Sequence, residues 1–510
     1  MSGLAALALL AMVGCDQQPA GRREAASSGS GVAQSAPASR PMPRTNVVIF
    51  LIDTLRADRV GAYGYPKPTT PTLDALAAEG VLFENAHSPS PWTLPTVPSL
   101  MTSTFACEHG VISNGQRVGS GLETMAERFQ KLGYHTASFY ANNFAGALTG
   151  MQRGFDESTK VPFVDARRID EWLRRRPQDK PFFLYLHNIE PHNPFNARPW
   201  LVREFGDVPR ETVGRINRLI VQYRAMLRAH VREQVPAGTL DLSDGIRRVE
   251  KELDALREPY LVLYDAVVRF ADQRLGEVIE RLKAAGLWED LIFIVVSDHG
   301  EEFGDHGGYQ HSQSVYQELA HVPWIMKLPG KQSAGMRIAD VVTLVDVLPT
   351  VFDLLGRDDV IGAARGRSLV PLLHDASPRA PGFVVTSIRH NRDRYFKDWA
   401  LTRGEINIAV RLGSWKGIWN VQPDTFELYD LASDPGEQRD IAAEHAELVS
   451  QMRAHVKSWY EHCAQVAQRA EGEGLKGVDP RVLRELAAMG YVDAPDDAAA
   501  SQPASAPARP

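Results

Sequence analysis

Hydrophobic and polar positions along the chain fall into two recurring patterns. The first is a short, nearly unbroken β-branched and aromatic run: "NVVIFLID" from Asn46 ends in a carboxylate, and "LIFIVVSDHG", Leu291 to Gly300, repeats that construction. Such runs are what strands buried on both faces need. "TASFY" (Thr136 to Tyr140), "PFFLYLHN" (Pro181 to Asn188) and "HVPWIMKLPG" from His321 predict further strands. The second pattern is helical, at "TLDALAAEG", "GLETMAERFQKLGY" and the long "YLVLYDAVVRFADQRLGEVIERLKAAG", which closes on Gly286. Strand alternating with helix predicts an α/β fold with a mainly parallel central sheet sandwiched by helices. Ligands of such sheets bind beyond the carboxyl ends of the strands, where Asp53, His187 and Asp298 fall.

The pattern also sets domain boundaries. Residues 44–380 form the expected α/β domain, with a polar helical insertion at 200–257. Shorter runs, "GFVVTSI", "INIAVRLG", "WKGIWN" and "FELYDL", predict a smaller C-terminal α+β subdomain at 381–492 with an antiparallel sheet and a closing helix near Ala443 to Gln465. The tail 493–510 and the segment 15–43 are rich in Ala, Ser, Gly and Pro and cannot bury a core. Before them, "LAALALLAMVGC" is too short to span a bilayer. It resembles a bacterial lipoprotein signal peptide, which implies loss of residues 1–14 and a lipid anchor at Cys15 in the cell envelope, although no Lys or Arg precedes the apolar run. Of the remaining cysteines, Cys107 and Cys463, no framework can be inferred. A net charge of −7 gives no electrostatic case for a nucleic-acid partner.

Two stretches carry candidate chemistry. In "SPWTLPTVPSLMTS", Ser90 to Ser103, Pro95 marks a first helical turn and puts Thr93 at the cap, where its hydroxyl either closes orphan N–H groups or faces an anion drawn to the helix N-terminus. In "SDHGEEFGDHGG", Ser297 to Gly308, Asp298 and His299 are adjacent where a buried strand meets a Gly-rich loop. Buried carboxylates must be paired or bind a cation. With Asp53, they offer two carboxylates and an imidazole to a divalent ion.

With these residues in view, the chain resembles the sulfatase family of the alkaline phosphatase superfamily from about Thr45 to about Val456. The likeness is carried by "NVVIFLIDTLRADRVGAYGY", "SPWTLPTVPSLMTS", "EPHNPF", "SDHGEEFGDHGG", "HVPWIMKLPG", "TLVDVLPTVFDLLG", "GRSLVPLL" and "FELYDLASDPGEQRDIA" in order. The resemblance implies a metal-dependent hydrolase of sulfate or phosphate esters. Its nucleophile position is Thr93, touching a cation held by Asp53, Asp298 and His299, and a covalent Thr93 ester is the implied intermediate. The expected cation is Zn, Mn or Ca. His192 and His311 match positions that bind the anion or protonate the departing oxygen. Arg56, Asn142, Asn143, His187 and Glu190 are candidate substrate contacts, with Arg56 equally suited to an ion pair beneath the metal. His187, Glu190, His192 and His311 also offer donors for a second metal.

Departures from the family pattern bear on the chemistry. A Thr cannot yield the formylglycine made from Cys or Ser, so no formylglycine is expected. Val97 replaces the usual Arg, and the segment after the third strand offers Asn142 and Asn143 where Lys and His are usual. These changes lean toward phosphorus. The expected partners are an anionic ester substrate, a glycan or lipid head group among them, and the membrane through Cys15. Two other readings stand beside this one: an envelope transferase of phosphoryl-alcohol groups to lipid or glycan, and a non-catalytic lipoprotein that binds anionic glycans.

Overall fold

The computed structural model describes residues 45–112, 115–232, 244–374, 384–389, 406–421 and 423–467. The signal segment, Cys15, the tether 15–43 and the tail 493–510 lie outside the described residues. Ten strands precede the C-terminal subdomain: β1 (Val47–Ile52), β2 (Val81–His87), β3 (His135–Tyr140), β4 (Glu157–Lys160), β5 (Phe182–Asn188), β6 (Ile292–Val296), the two-residue pair β7 (Glu302–Phe303) and β8 (Tyr309–Gln310), β9 (Trp324–Lys327) and β10 (Met336–Thr343). Eight of them form one sheet in the order β10-β2-β9-β6-β1-β5-β3-β4, while β7 and β8 pair as a separate ribbon. β1 is central and parallel to both β5 and β6. β9 runs antiparallel to β6 and to β2, which makes the sheet mixed, with its other strands pointing one way.

The side chains of β1 explain why its sequence is apolar throughout. Val48, Phe50 and Ile52 enter a core with Tyr260, Tyr264 and Leu275 of the long helix Arg257–Ala284. Val47, Ile49 and Leu51 enter a second core with Leu94, Val97 and Leu100 of helix Thr93–Thr102. Side chains alternate between the faces of a strand, so each face of the sheet has its own helical cover. The expected insertion contains the helices Arg210–Arg232 and Asp244–Asp254. The periodic stretch "GLETMAERFQKLGY" forms a helix only over Met125–Lys131, started by a reciprocal cap in which Glu127 N donates to Thr124 Oγ1 and Thr124 N to Glu127 Oε2.

The C-terminal antiparallel sheet has the order β11 (Val384–Arg389), β12 (Ile406–Leu412), β13 (Trp415–Asn420), β14 (Thr425–Asp430). A helix at Ala446–Ala467 follows it. Cys107 and Cys463 form a disulfide, their Cα atoms 5.2 Å apart, and so tie this helix to the segment behind helix Thr93–Thr102. No described helix is long and apolar enough to cross a membrane.

Candidate active site

The neighbouring strands β1 and β6 both release the chain at the same edge of the sheet. Asp53 follows β1 with its N–H on Asn188 O at 2.9 Å. Thr54 then turns left-handed (φ 59°), its N–H reaching Asp298 Oδ1 at 3.3 Å, and Leu55 N donates to Ser297 Oγ at 2.9 Å. These ties hold the two chain ends against each other. Gly300 allows the exit from β6, since a Cβ there would stand 1.8 Å from Glu318 O.

Asp53, Asp298 and His299 are fully buried, and each offers a ligand atom within 4.8 Å of the other two. His299 Nε2 lies 3.5 Å from Asp53 Oδ1 and 3.7 Å from Asp298 Oδ2. Its Nδ1 is 2.8 Å from Gly300 O. A carbonyl only accepts, so Nδ1 carries the hydrogen and Nε2 presents its lone pair to the cluster. Asp53 Oδ1 and Asp298 Oδ2 are buried without a hydrogen-bond partner. Burial, and then the charge of Asp298, push the Asp53 carboxyl well above the usual range. Two orphaned carboxylate oxygens facing an imidazole nitrogen fit a divalent cation, whose charge removes both penalties.

Thr93 Oγ1 lies 3.2 Å from His299 Nε2. The cap position differs from the expectation: Trp92, extended at φ −163° and ψ 160°, is the N-cap, and Thr93 is the first helical residue. The ladder starts one residue early because Trp92 O already accepts from Thr96 N at 3.4 Å. The Thr93 hydroxyl therefore faces the cluster from a helix N-terminus and makes no side-chain cap. Asn142 joins it, with Nδ2 3.1 Å from Asp53 Oδ2 and 3.4 Å from Thr93 Oγ1. Asn143 is buried as the first residue of the short turn that Asn142 caps.

The other candidates take separate places. His187 is completely buried beneath the cluster, its Nε2 3.5 Å from Asp53 Oδ2, and burial lowers its pKa to about 4. His192 and His311 face each other with ring centroids 5.0 Å apart, and His311 lies 4.6 Å from the His299 ring. Burial, followed by neighbouring positive groups, holds both well below the ordinary histidine range. The expected second metal group does not assemble, for Asp53, Asp298 and His299 are the one such group among the described residues. Glu190 turns to Arg274 at 3.7 Å, His311 Nδ1 to Glu301 Oε1 at 3.1 Å, and His192 Nδ1 to Asn193 O at 2.6 Å. Arg56 is the ion-pair residue of its two readings: its guanidinium pairs with Asp58 at 2.7 Å and Asp305 at 2.9 Å and donates to Glu301 O. Two further residues belong to this group: Glu301, which is fully buried against His311, and Arg224, whose charge reaches Glu301, His192 and His311 from helix Arg210–Arg232. Glu301 lies within "SDHGEEFGDHGG", where it is one acid among several, and Arg224 lies in a charged helical stretch with no local signal.

The profile of the family described as Sulfatase matches residues 45–357, and that of "N-sulphoglucosamine sulphohydrolase, C-terminal" matches residues 304–462. Arylsulfatase K of Rattus norvegicus is 25% identical over 458 residues, covering 81% of this chain and 77% of its own. Two solved structures share the fold. One, in complex with its substrate D-glucosamine-2-N,6-O-disulfate, has a TM-score of 0.61 at 18% identity and covers 84% of this chain and 99% of its own. The other, phosphonate monoester hydrolase of Agrobacterium radiobacter, has a TM-score of 0.60 at 21% identity and covers 85% and 97%. The profile match spans the whole sheet, both strand ends that carry the carboxylates and the helix that begins at Thr93, and on that ground the chain belongs to the sulfatase family.

Proposed function

We propose that this protein hydrolyses sulfate esters, with sugars as the substrate class, and that Thr93 is its nucleophile. The observation that carries the reading is the 3.2 Å approach of Thr93 Oγ1 to His299 Nε2, at a helix N-terminus and beside two orphaned carboxylate oxygens. The sugar class draws on a relative named N-acetylglucosamine-6-O-sulfatase and on the neighbour bound to a glucosamine disulfate. Asp53, Asp298 and His299 would hold a divalent cation, which when bound favours the ionised Thr93 hydroxyl and neutralises charge on the ester.

Thr93 Oγ1 gives its proton to the lone pair of Nε2 on His311 or His192, whose Nδ1 is engaged by Glu301 or Asn193, and attacks sulfur, forming one O–S bond. The S–O bond to the alcohol breaks with its electron pair passing to the alcohol oxygen, and the imidazolium formed on His311 or His192 returns the proton taken from Thr93 to that oxygen. Water then cleaves the Thr93 ester and restores the hydroxyl. The N–H groups of the first turn of helix Thr93–Thr102 stabilise the anion throughout.

A second reading, hydrolysis of phosphate esters, is favoured by Thr93 itself, since its hydroxyl cannot become formylglycine. The experiment is turnover of an aryl sulfate, an aryl phosphate monoester and an aryl phosphodiester by the full chain with Mn, Zn or Ca, with Thr93→Ala as control. Thr93-dependent sulfate turnover supports the first reading, phosphate turnover alone replaces it with the second, and no turnover by a metal-loaded protein overturns both. The envelope anchor at Cys15 belongs to the same proposal, and a mature N-terminus unmodified at residue 15 in mass spectra refutes it.

A further inference from the structure

His311 is held in an unusual way. The residues on either side of it, Gln310 (φ 77°) and Ser312 (φ 69°), are both non-glycine residues in the left-handed region. Such conformations persist only where the surroundings over-determine them. The ties on the two sides come from different parts of the chain. Gln310 is clasped by helix Arg210–Arg232, its Oε1 accepting from Arg224 Nε and its Nε2 donating to Ile220 O at 3.3 Å. Ser312 N donates to Pro91 O at 3.1 Å, two residues ahead of Thr93, and Ser312 Oγ donates to His311 O. All four side chains, Arg224, Gln310, His311 and Ser312, are less than a tenth exposed. The imidazole itself is pinned between Glu301 Oε1 at Nδ1 and the ring of His299.

We infer that the insertion helix Arg210–Arg232 positions His311, with Arg224 and Gln310 as the positioning residues that hold its imidazole beside the Thr93 cluster. This rests on the proposed role of His311 as proton donor to the leaving oxygen. The insertion thereby sets the backbone of a residue beside the Thr93 cluster. Glu301 accepts from Nδ1, which leaves the lone pair of Nε2 to take the Thr93 proton and hand it to the departing group.

The test compares the full-chain Gln310→Gly variant with the parent on a series of aryl esters whose leaving phenols differ in acidity. Glycine keeps the left-handed backbone and removes only the side-chain ties. The expected result is a kcat lowered about 10-fold or more for the least acidic phenols, a smaller loss for nitrophenol, and a steeper dependence on leaving-group acidity. KM should stay within about twofold, as for an interaction made in the transition state. Gln310→Glu, which preserves the acceptor for Arg224 Nε, is expected to recover part of the loss. If Gln310→Gly does not fold, Arg224→Lys, which keeps the charge and removes the Nε donor, is read on the same series. A folded variant with the parent's kcat and the parent's leaving-group dependence overturns the inference while Thr93-dependent turnover of the parent leaves the proposed function standing. A parent that turns over no ester overturns the proposed function instead.

Discussion

Asn142 donates its side-chain amide to Asp53 Oδ2 at 3.1 Å, and the same nitrogen stands 3.4 Å from Thr93 Oγ1. One side chain thus orients both a carboxylate of the cluster and the proposed nucleophile, and its own Oδ1 is fixed by Phe144 N. Partners of this kind usually account for about 10–100-fold in metal affinity or activity. Asn142→Ala is therefore expected to lower kcat/KM by about that factor with little change in melting temperature, as read by steady-state kinetics and calorimetry.

The buried pair Asp53 and Asp298 leads to a prediction that needs no substrate. A cation that binds the folded cluster alone stabilises it by about 2.7 kcal/mol at a hundredfold excess over its Kd. Zn or Mn should raise the melting temperature more than Ca, because an imidazole sits in the donor set. Chelation should reverse the rise, and Asp298→Asn should remove it. An unchanged melting curve with every metal would rule out the cation site.

Asp272 gives stability a pH dependence that is remote from the site. Its carboxylate accepts from Thr72 N and Leu73 N, linking helix Arg257–Ala284 to the start of helix Pro71–Glu79. Burial raises its pKa from 3.8 to about 6. The folded chain thus takes up this proton at a pH where the unfolded chain does not, so the contribution of Asp272 to stability grows as pH falls from about 6 toward 4 and is lost as pH rises through about 6. Relative to Asp272→Asn, the parent should gain about 1 kcal/mol between pH 7 and pH 5 in urea unfolding.

The disulfide Cys107–Cys463 joins segments 356 residues apart. Bridges across long loops contribute about 2–5 kcal/mol. Cys463→Ser should lower the melting temperature accordingly and leave KM unchanged, since neither sulfur belongs to the cluster around Thr93. A loss of KM with stability intact would mean that the closing helix shapes the pocket.

The ligand-bearing strands were legible because a strand covered on both faces must be apolar at every position, and the polar residue that ends it stands out. β1 and β6 announce Asp53 and Asp298 in this way. The edge strand β10 and its neighbour β2 were not, since exposed or half-exposed positions break their runs in "MRIADVVT" and "VLFENAH". Thr93 was legible as a helix start but displaced by one position, because Pro95 sits third in the helix and not first. Glu301, Gln310 and Arg224 had no signature of their own. Arg224 and Gln310 meet across 86 residues of chain, and contacts at that distance leave no period in the sequence. Arg56 had two readings on paper, and only the placement of Asp58 and Asp305 decides between them.

The alternation of β1 between two cores has a consequence for how such a protein can change. Deleting or adding one residue in β1 would send Val48, Phe50 and Ile52 to the cover built for Val47, Ile49 and Leu51, spoiling both at a stroke. Beyond the ties of Thr54 and Leu55 the two-residue alternation ends, so a change of length there does not exchange the two covers. The reacting groups therefore stand at the frontier between a stretch whose length is frozen and loops whose length is not.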